Sequence, residues 1–427
     1  MMGKWICKIK SGALQFSVFI AVLIAILLAG LILYAYTFVY LKKQSEAAVA
    51  NVRIADVGFD YLLASDVKPG QDTLTIPSEA EGQSVRAITS PWGVFEKAYV
   101  ITTHRKKRFD KVGLLATKLD RVASPTLYLS DENTPLVVVG NTKITGKAVL
   151  PEQGIRPGYI AGNSFYGKQL VAGSIGRSKG ELPKLYSSYR DALKMLTAMR
   201  SENKRDENTG FLNHKHSVCS FREKTKVIRS ADPLLLADVR LTGNFIVRSD
   251  SLIVVKNTSA LKDIILIAPI VEIEEGTTGT FQVIASERIK VNKNCVLAYP
   301  SALLLVQDPL KNSTPQYLHD KQLFIDENAQ VKGVVGCLLE KVPTDFYPQI
   351  VVETSAKIAG QVFCDGNLEL KGTVSGSVYT RYFLTNQGGS IYLNHLFNGV
   401  VENQNIPDFY GGMLLEDQDK IVVKWLY

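Results

Sequence analysis

The sequence predicts a mainly β protein: an N-terminal transmembrane helix followed by a parallel β-helix-like region with one helical insertion. Three observations predict it. An uncharged apolar run, "ALQFSVFIAVLIAILLAGLILYAYTFVYL", extends from Ala13 to Leu41. From Ala231 onward, short runs of period-two alternation such as "FIVRSDSLIVV", "TFQVIAS" and "RIKVNKNCVLAY" replace any helical period. Within Lys357 to Tyr379, "KIAGQVFCDGNLELKGTVSGSVY", an aliphatic residue, a glycine two positions on and a valine two further recur: Ile358–Gly360–Val362, Leu370–Gly372–Val374 and Val374–Gly376–Val378.

The apolar run decides the first element. A helix rises about 1.5 Å per residue, so this run exceeds the roughly 20 residues that cross a bilayer. It is also longer than the apolar region of a cleavable signal peptide, and Tyr34, Tyr36 and Tyr40 close it like an interfacial aromatic belt. The sequence therefore divides into a short basic tail (1–12), a transmembrane helix (13–41) that partners the membrane, a membrane-proximal mostly β region (42–180), a helix and polar loop insertion (181–230), and a β-helix-like domain with a C-terminal cap (231–427).

The charge is read through that division. The net +8 draws on Lys4, Lys8, Lys10, Lys42 and Lys43, which flank the span; without these five, 44 basic residues face 41 acidic ones. No nucleic-acid partner is expected from such a balance. The short basic N-terminal tail is costly to translocate, whereas a long following domain crosses largely regardless of its charge. The expected placement is in a membrane, N-terminus inside, with the large C-terminal region extracytoplasmic; the family resemblance given below makes that membrane a bacterial inner membrane and that side the periplasm.

Beyond the span, Trp92 to Asp120 reads as two strands around the basic turn "HRKKR" (His104 to Arg108), a solvated hairpin tip. In "ELPKLYSSYRDALKMLTAMRSENKRDEN", Leu185, Tyr189, Leu193 and Leu196 recur at helical spacing, and a polar run ends the element. From Ala231, many strands are only four to six residues long, and Gly, Asn, Asp, Ser or Thr turns separate them, as in "EEGTTGT", "NKNC" and "CDGN". Sandwiches and barrels favour longer strands with regular hairpin signals. Short strands with small turns suit coils that bury one face by stacking on their neighbours.

The cadence fits the corner of such a coil. There the chain turns toward a crowded axis, and glycine takes positive φ without a Cβ penalty. On this reading Gly146, Gly243, Gly333, Gly360, Gly372 and Gly376 are structural turn glycines. The C-terminal "KIVVKWLY" is expected to cap an open coil end.

Residues Gln349 to Tyr379, "QIVVETSAKIAGQVFCDGNLELKGTVSGSVY", resemble bactofilins, the polymer-forming bacterial β-helix proteins. The resemblance implies a compact right-handed β-helix, no catalytic residues and end-to-end assembly. The segment Lys8 to Leu28, "KIKSGALQFSVFIAVLIAILL", faintly resembles the start of minor pseudopilins, in which case Gly12 marks the processing position; Ser17 stands where most pilins carry glutamate.

Chemistry is sparse in the sequence. His214, His216 and Cys219 in "HKHSVC" are the metal-ligand candidates, with no fourth ligand visible, so neither a metal nor a cofactor is expected. Cys219, Cys295, Cys337 and Cys364 are scattered without a CxxC and read as buried free thiols. Two acidic groups, Glu272, Glu274 and Glu275, and Asp365 and Glu369 beside Lys371, are the places where a glycan-acting β-helix would carry its acids. Their alternation with aliphatic residues is that of a solvated strand face. The expected function is therefore a non-enzymatic, single-pass envelope scaffold acting through protein partners or self-association. The alternatives are a minor pseudopilin-like component of a pilus or secretion apparatus, and a membrane-tethered polysaccharide-acting enzyme.

Overall fold

The computed structural model describes residues 11–64, 74–76, 83–104, 107–198, 209–213, 216–307, 322–341, 346–404 and 406–426. The chain is mainly β, and its longest helix, α1 (Ser11–Ala64), carries the apolar run. From Gly12 to Lys43 every residue of α1 is exposed, and among the described residues α1 is the one helix long and apolar enough to cross a membrane. Beyond that stretch the helix continues without a break and packs one side against the rest of the chain. Ala47, Asn51, Ala55, Gly58, Phe59 and Leu62 are buried at spacings of three and four, one stripe of the helix.

This stripe lies on an antiparallel sheet. Its strands are Leu74–Ile76, Gln83–Trp92, Phe95–His104 and Lys107–Lys118, and both Gly411–Gly412 and Lys420–Leu426 pair with the last of these. The two strands expected around the basic turn are present in register, from Glu96 opposite Leu115 to His104 opposite Lys107. Alternation sends Val85, Ala87, Ala98, Val100 and Leu115 toward α1 and Val112, Leu114 and Ala116 to the opposite face. Gly58 is where helix and sheet come closest; a Cβ there would lie 2.7 Å from Val100 Cγ1. Asn51 fixes the register, its side-chain amide donating to the Lys107 carbonyl (3.1 Å) while its own carbonyl accepts from Thr102 Oγ1 (3.2 Å).

The second face of the sheet packs on a stack of parallel coils. Each coil contributes up to three short strands, to three ladders. Leu241, Leu261, Gly279 and Leu297 succeed one another in the first ladder, so an uninterrupted coil takes 18 to 20 residues. In the second ladder, side chains alternate inward and outward. An inward column runs from Ile228 through Leu266, Leu303, Val362 and Val378 to Leu127 and Ala148, all fully buried. The third ladder stacks Ile253, Val271, Ile289, Leu323, Ile350 and Leu368 in the same manner.

Chain order and spatial order part company at one end. The coils wind from His216 to Glu402, and Leu127–Leu129 then pairs with Val378–Thr380 of the preceding coil; Ala148–Leu150 and Ile175–Arg177 continue the ladder outward. Residues 127–177, expected in a membrane-proximal region, thus build the far end of the stack. The chain returns to the first coil past α2 (Ser187–Ala198), which buries Tyr189 and Leu193 against the outer face of the second ladder. The expected boundary at 230 is also displaced: His216–Cys219 and Lys226–Ser230 already belong to the first coil.

The C-terminal strand corrects another expectation. Lys420–Leu426 caps no coil; it pairs antiparallel with Lys107–Lys118, because Ile421, Val423 and, past a register shift between Val422 and Lys424, Leu426 complete the layer between sheet and stack. At the coil corner, Gly333, Gly360 and Gly376 lie in register on successive coils with φ of 137°, 139° and 149°. A Cβ on Gly360 would lie 1.9 Å from the Gly333 carbonyl oxygen, and one on Gly376 1.8 Å from that of Gly360. Gly146 and Gly243 repeat the positive φ. Gly372 departs from this set. It lies between the third and first ladders, where close backbone rather than positive φ excludes a side chain, with a Cβ 2.5 Å from the Ala356 carbonyl oxygen.

Candidate functional surfaces

The outer face of the second ladder carries two buried glutamines among mostly apolar neighbours. Gln282, in "TFQVIAS", accepts from the Val94 amide (2.7 Å) and donates to the Trp92 carbonyl (3.1 Å), closing the turn of the hairpin Gln83–Trp92/Phe95–His104. Gln361, the centre of Gly360–Gln361–Val362, accepts from the Met413 amide (2.7 Å). Each satisfies backbone groups of a crossing segment that has no strand partner there, and leaving such groups buried and unpaired is costly. Sequence reasoning did not single out these residues. The available signal was a lone polar residue at an outward position between apolar neighbours.

Side-chain links along the sheet give its direction on the stack. Arg222, in the turn of the first coil, donates to the Asp110 carbonyl (3.1 Å). Lys424, paired with Leu114, holds Asp263 of the third coil. Thr117 Oγ1 accepts from the Leu415 amide (2.9 Å), two residues from Met413 and so beside Gln361 of the seventh coil. The strand Lys107–Lys118 therefore runs along the axis of the stack, its Lys107 end beside Asn51, nearest the apolar part of α1. The first coil is the proximal end. The second ladder is eleven strands deep, from Lys226–Ser230 to Ile175–Arg177. At about 4.8 Å per strand the stack extends roughly 48 Å. At the distal end Tyr159, Tyr166 and Ile175 are exposed by 67%, 59% and 58%.

The carboxylates named from the sequence are distributed and matched. Glu272 faces Arg288 (3.6 Å), Glu274 binds Lys256 (2.7 Å), and Glu275 accepts from Asn294 (2.9 Å). Lys256 holds the Glu274 carboxyl below its ordinary range through their hydrogen bond. Asp365 is drawn into a link between α2 and the stack: Arg190 binds it (2.9 Å) and also donates to the Leu339 carbonyl (2.6 Å). Burial raises the Asp365 carboxyl above its usual range, opposed by Arg190 and the Leu339 amide. Lys371 lies between Glu353 (2.9 Å) and Glu369 (3.4 Å). These residues line a polar cleft of about 530 Å³ beneath the hairpin Thr373–Gln387/Ser390–Leu393, with Asn141, Thr385, Asn386 and Asn398 on its other walls.

The metal-ligand candidates are not brought together. His214 lies outside the described residues. His216 and Cys219 are three apart on one strand, so His216 faces solvent and the Cys219 thiol turns into the stack, opposite faces that cannot share an ion. Among the described residues no group of three or more His, Cys, Asp or Glu gathers to hold a metal. Cys219, Cys295, Cys337 and Cys364 are buried free thiols, as expected; burial pushes the Cys364 thiol up to about 12.

No family model, curated protein or solved structure matches the chain.

Proposed function

We propose that this protein is a single-pass, membrane-anchored scaffold of the bacterial cell envelope, which holds a stack of β-coils upright on the membrane and presents its distal end to a protein partner. The observation that carries the reading is the continuity of α1. The same helix supplies the apolar span and the stripe buried on the sheet, and the sheet is fastened to the stack by Gln282 and Gln361. An anchor joined in this way transmits orientation, which a flexible linker would lose. The paired, dispersed carboxylates support a contact role over a catalytic one. Exposed Tyr159 and Tyr166 at the distal end belong to the aromatic type enriched in protein interfaces. The likeness of Gln349 to Tyr379 to bactofilins points the same way, to assembly.

The test is site-specific photocrosslinking in native membranes, with the photoreactive residue at Tyr159 or Tyr166 and, as a comparison, at Lys262 on the flank. A discrete adduct from the distal positions alone is expected. Protein that leaves the membrane on carbonate washing, or that stays monomeric with no adduct from the distal end, overturns the proposal. Protease protection of intact cells reads the sidedness; the stack is expected to be degraded only once the outer permeability barrier is opened.

A further inference from the structure

We infer that the proximal hairpin, whose last pair is His104 and Lys107, is a second membrane contact, held against anionic phospholipid headgroups by Lys107 together with Lys42 and Lys43. This rests on the reading of α1 as a membrane anchor. Three observations carry it. The Asn51–Lys107 hydrogen bond places the hairpin end level with Asn51, ten residues past Leu41, which is about 15 Å along a helix. A lysine side chain reaches roughly 6 Å, the headgroup layer adds about 5–7 Å to each side of the hydrocarbon, and the Debye length is about 8 Å at physiological salt. The Lys107 ammonium therefore lies within the field of the lipid surface.

The second observation is direction. Asn51 belongs to the buried stripe of α1 and binds Lys107, so the hairpin stands on one side of the helix; Lys43, two turns nearer the membrane, lies about 80° around the helix from Asn51. The third is charge. Lys42, Lys43 and Lys107 are exposed, and no ion pair engages them among the described residues, whereas Arg108 is held by Asp110 (2.7 Å) and Lys111 by Asp56. Glu46 is the one acidic residue between Lys42 and Arg53. A span alone leaves the stack free to tilt; a second contact on one side of the helix sets its lean.

The experiment uses the full chain with Cys7→Ser, in lipid nanodiscs of pure phosphatidylcholine or with one third phosphatidylglycerol. A fluorophore is placed at Ser84→Cys, an exposed site paired with Thr103 beside the hairpin end, and quenched by headgroup spin labels. Stronger quenching in the anionic discs is expected, lost in high salt. Each near-surface lysine favours contact roughly fivefold, so Lys43→Gln with Lys107→Gln should weaken the contact equilibrium roughly 25-fold. Both residues are exposed, and the Lys107 carbonyl that binds Asn51 remains. Equal quenching in the two discs, or quenching indifferent to the paired substitution, overturns the hairpin contact alone. Protein that carbonate strips from native membranes overturns the anchoring on which it depends.

Discussion

Replacing Gln282 by leucine tests whether one side chain fastens the sheet to the coils. The substitution keeps the volume and removes both hydrogen bonds, so the Val94 amide and the Trp92 carbonyl become orphans in a place water does not reach; Val94 is fully buried and Trp92 is 4% exposed. Each orphaned group costs about 1–3 kcal/mol, and the gain from a buried leucine offsets about 1 kcal/mol, which leaves about 3 kcal/mol. The turn cannot readily shift to compensate. Gly93 holds φ of +62° directly over the glutamine, with its missing Cβ position 2.3 Å from Gln282 Oε1. Hydrogen exchange read at the Val94 amide is the assay, because it reports local opening without requiring the whole chain to unfold reversibly. At about 1.4 kcal/mol per decade, exchange at Val94 should accelerate roughly a hundredfold. Gln361→Leu is the matched control, expected to expose the Met413 amide and spare Val94. If Val94 stays as protected in the Gln282 variant as in the parent, the hairpin is held by apolar packing and the fastening role is wrong.

Other expectations follow from the same contacts. Gly360→Ala forces a Cβ to 1.9 Å from the Gly333 carbonyl at φ +139°, a cost on the order of 4 kcal/mol; thermal unfolding should move sharply down, while Gly30→Ala, with open space around it, should leave it unchanged. With the Cys364 thiol pushed up to about 12 by burial, only roughly one in ten thousand molecules carries its thiolate at pH 8. Iodoacetamide should therefore spare the four described cysteines until denaturant is added, as mass spectrometry of the peptides will show; labelling of Cys337 or Cys364 in the folded protein would contradict their burial. The same shift means that the unfolded chain gives up these protons first, so stability should fall as pH rises above the ordinary thiol range. Lys420 and Glu96 form an ion pair (3.2 Å) with side chains 6% and 0% exposed. Lys420→Met should cost about 3–5 kcal/mol by removing the cation beside the buried carboxylate, and adding Glu96→Gln should recover part of it; equal losses in the single and double variants would refute the coupling.

The coil architecture was legible where side-chain period and backbone constraint coincide. Ile358–Gly360–Val362 shows both: the aliphatic residues face the interior, and the glycine turns where the preceding coil's carbonyl leaves no room. Leu370–Gly372–Val374 has the same letters and a different geometry, since letters do not record which ladder a residue joins. The placement of Leu127–Leu129 was not legible for a related reason. A parallel ladder takes its register from the neighbouring coil, and a three-residue strand carries no information about which coil that is. Lys420–Leu426 reads as a strand in either role; only the unpaired edge of Lys107–Lys118 decides that it joins the sheet. The apolar half of α1 was plain from composition. Its buried half was not, because Asn51 and Gly58 look unremarkable until the sheet they touch is known.

The out-of-order end has a mechanical consequence. Leu127 and Leu129 are wedged between Val378–Thr380 and Ala148–Leu150, while Gly411–Gly412 and Lys420–Leu426 flank Lys107–Lys118. Early and late parts of the chain are thereby interleaved twice, once in the stack and once in the sheet. A simple solenoid can fray coil by coil from its ends, because each coil contacts only its neighbours. Here the distal coils formed by residues 127–177 cannot separate from the coil ending near Thr380 without also drawing on the sheet, which Leu119 and Ser124 connect to them through Tyr410 and Asp120. Pulling on the distal end would load the sheet and α1 together. If the protein serves as an upright scaffold, a force at its far end would reach α1 through the paired strands of stack and sheet and then through the packed stripe from Asn51 to Leu62.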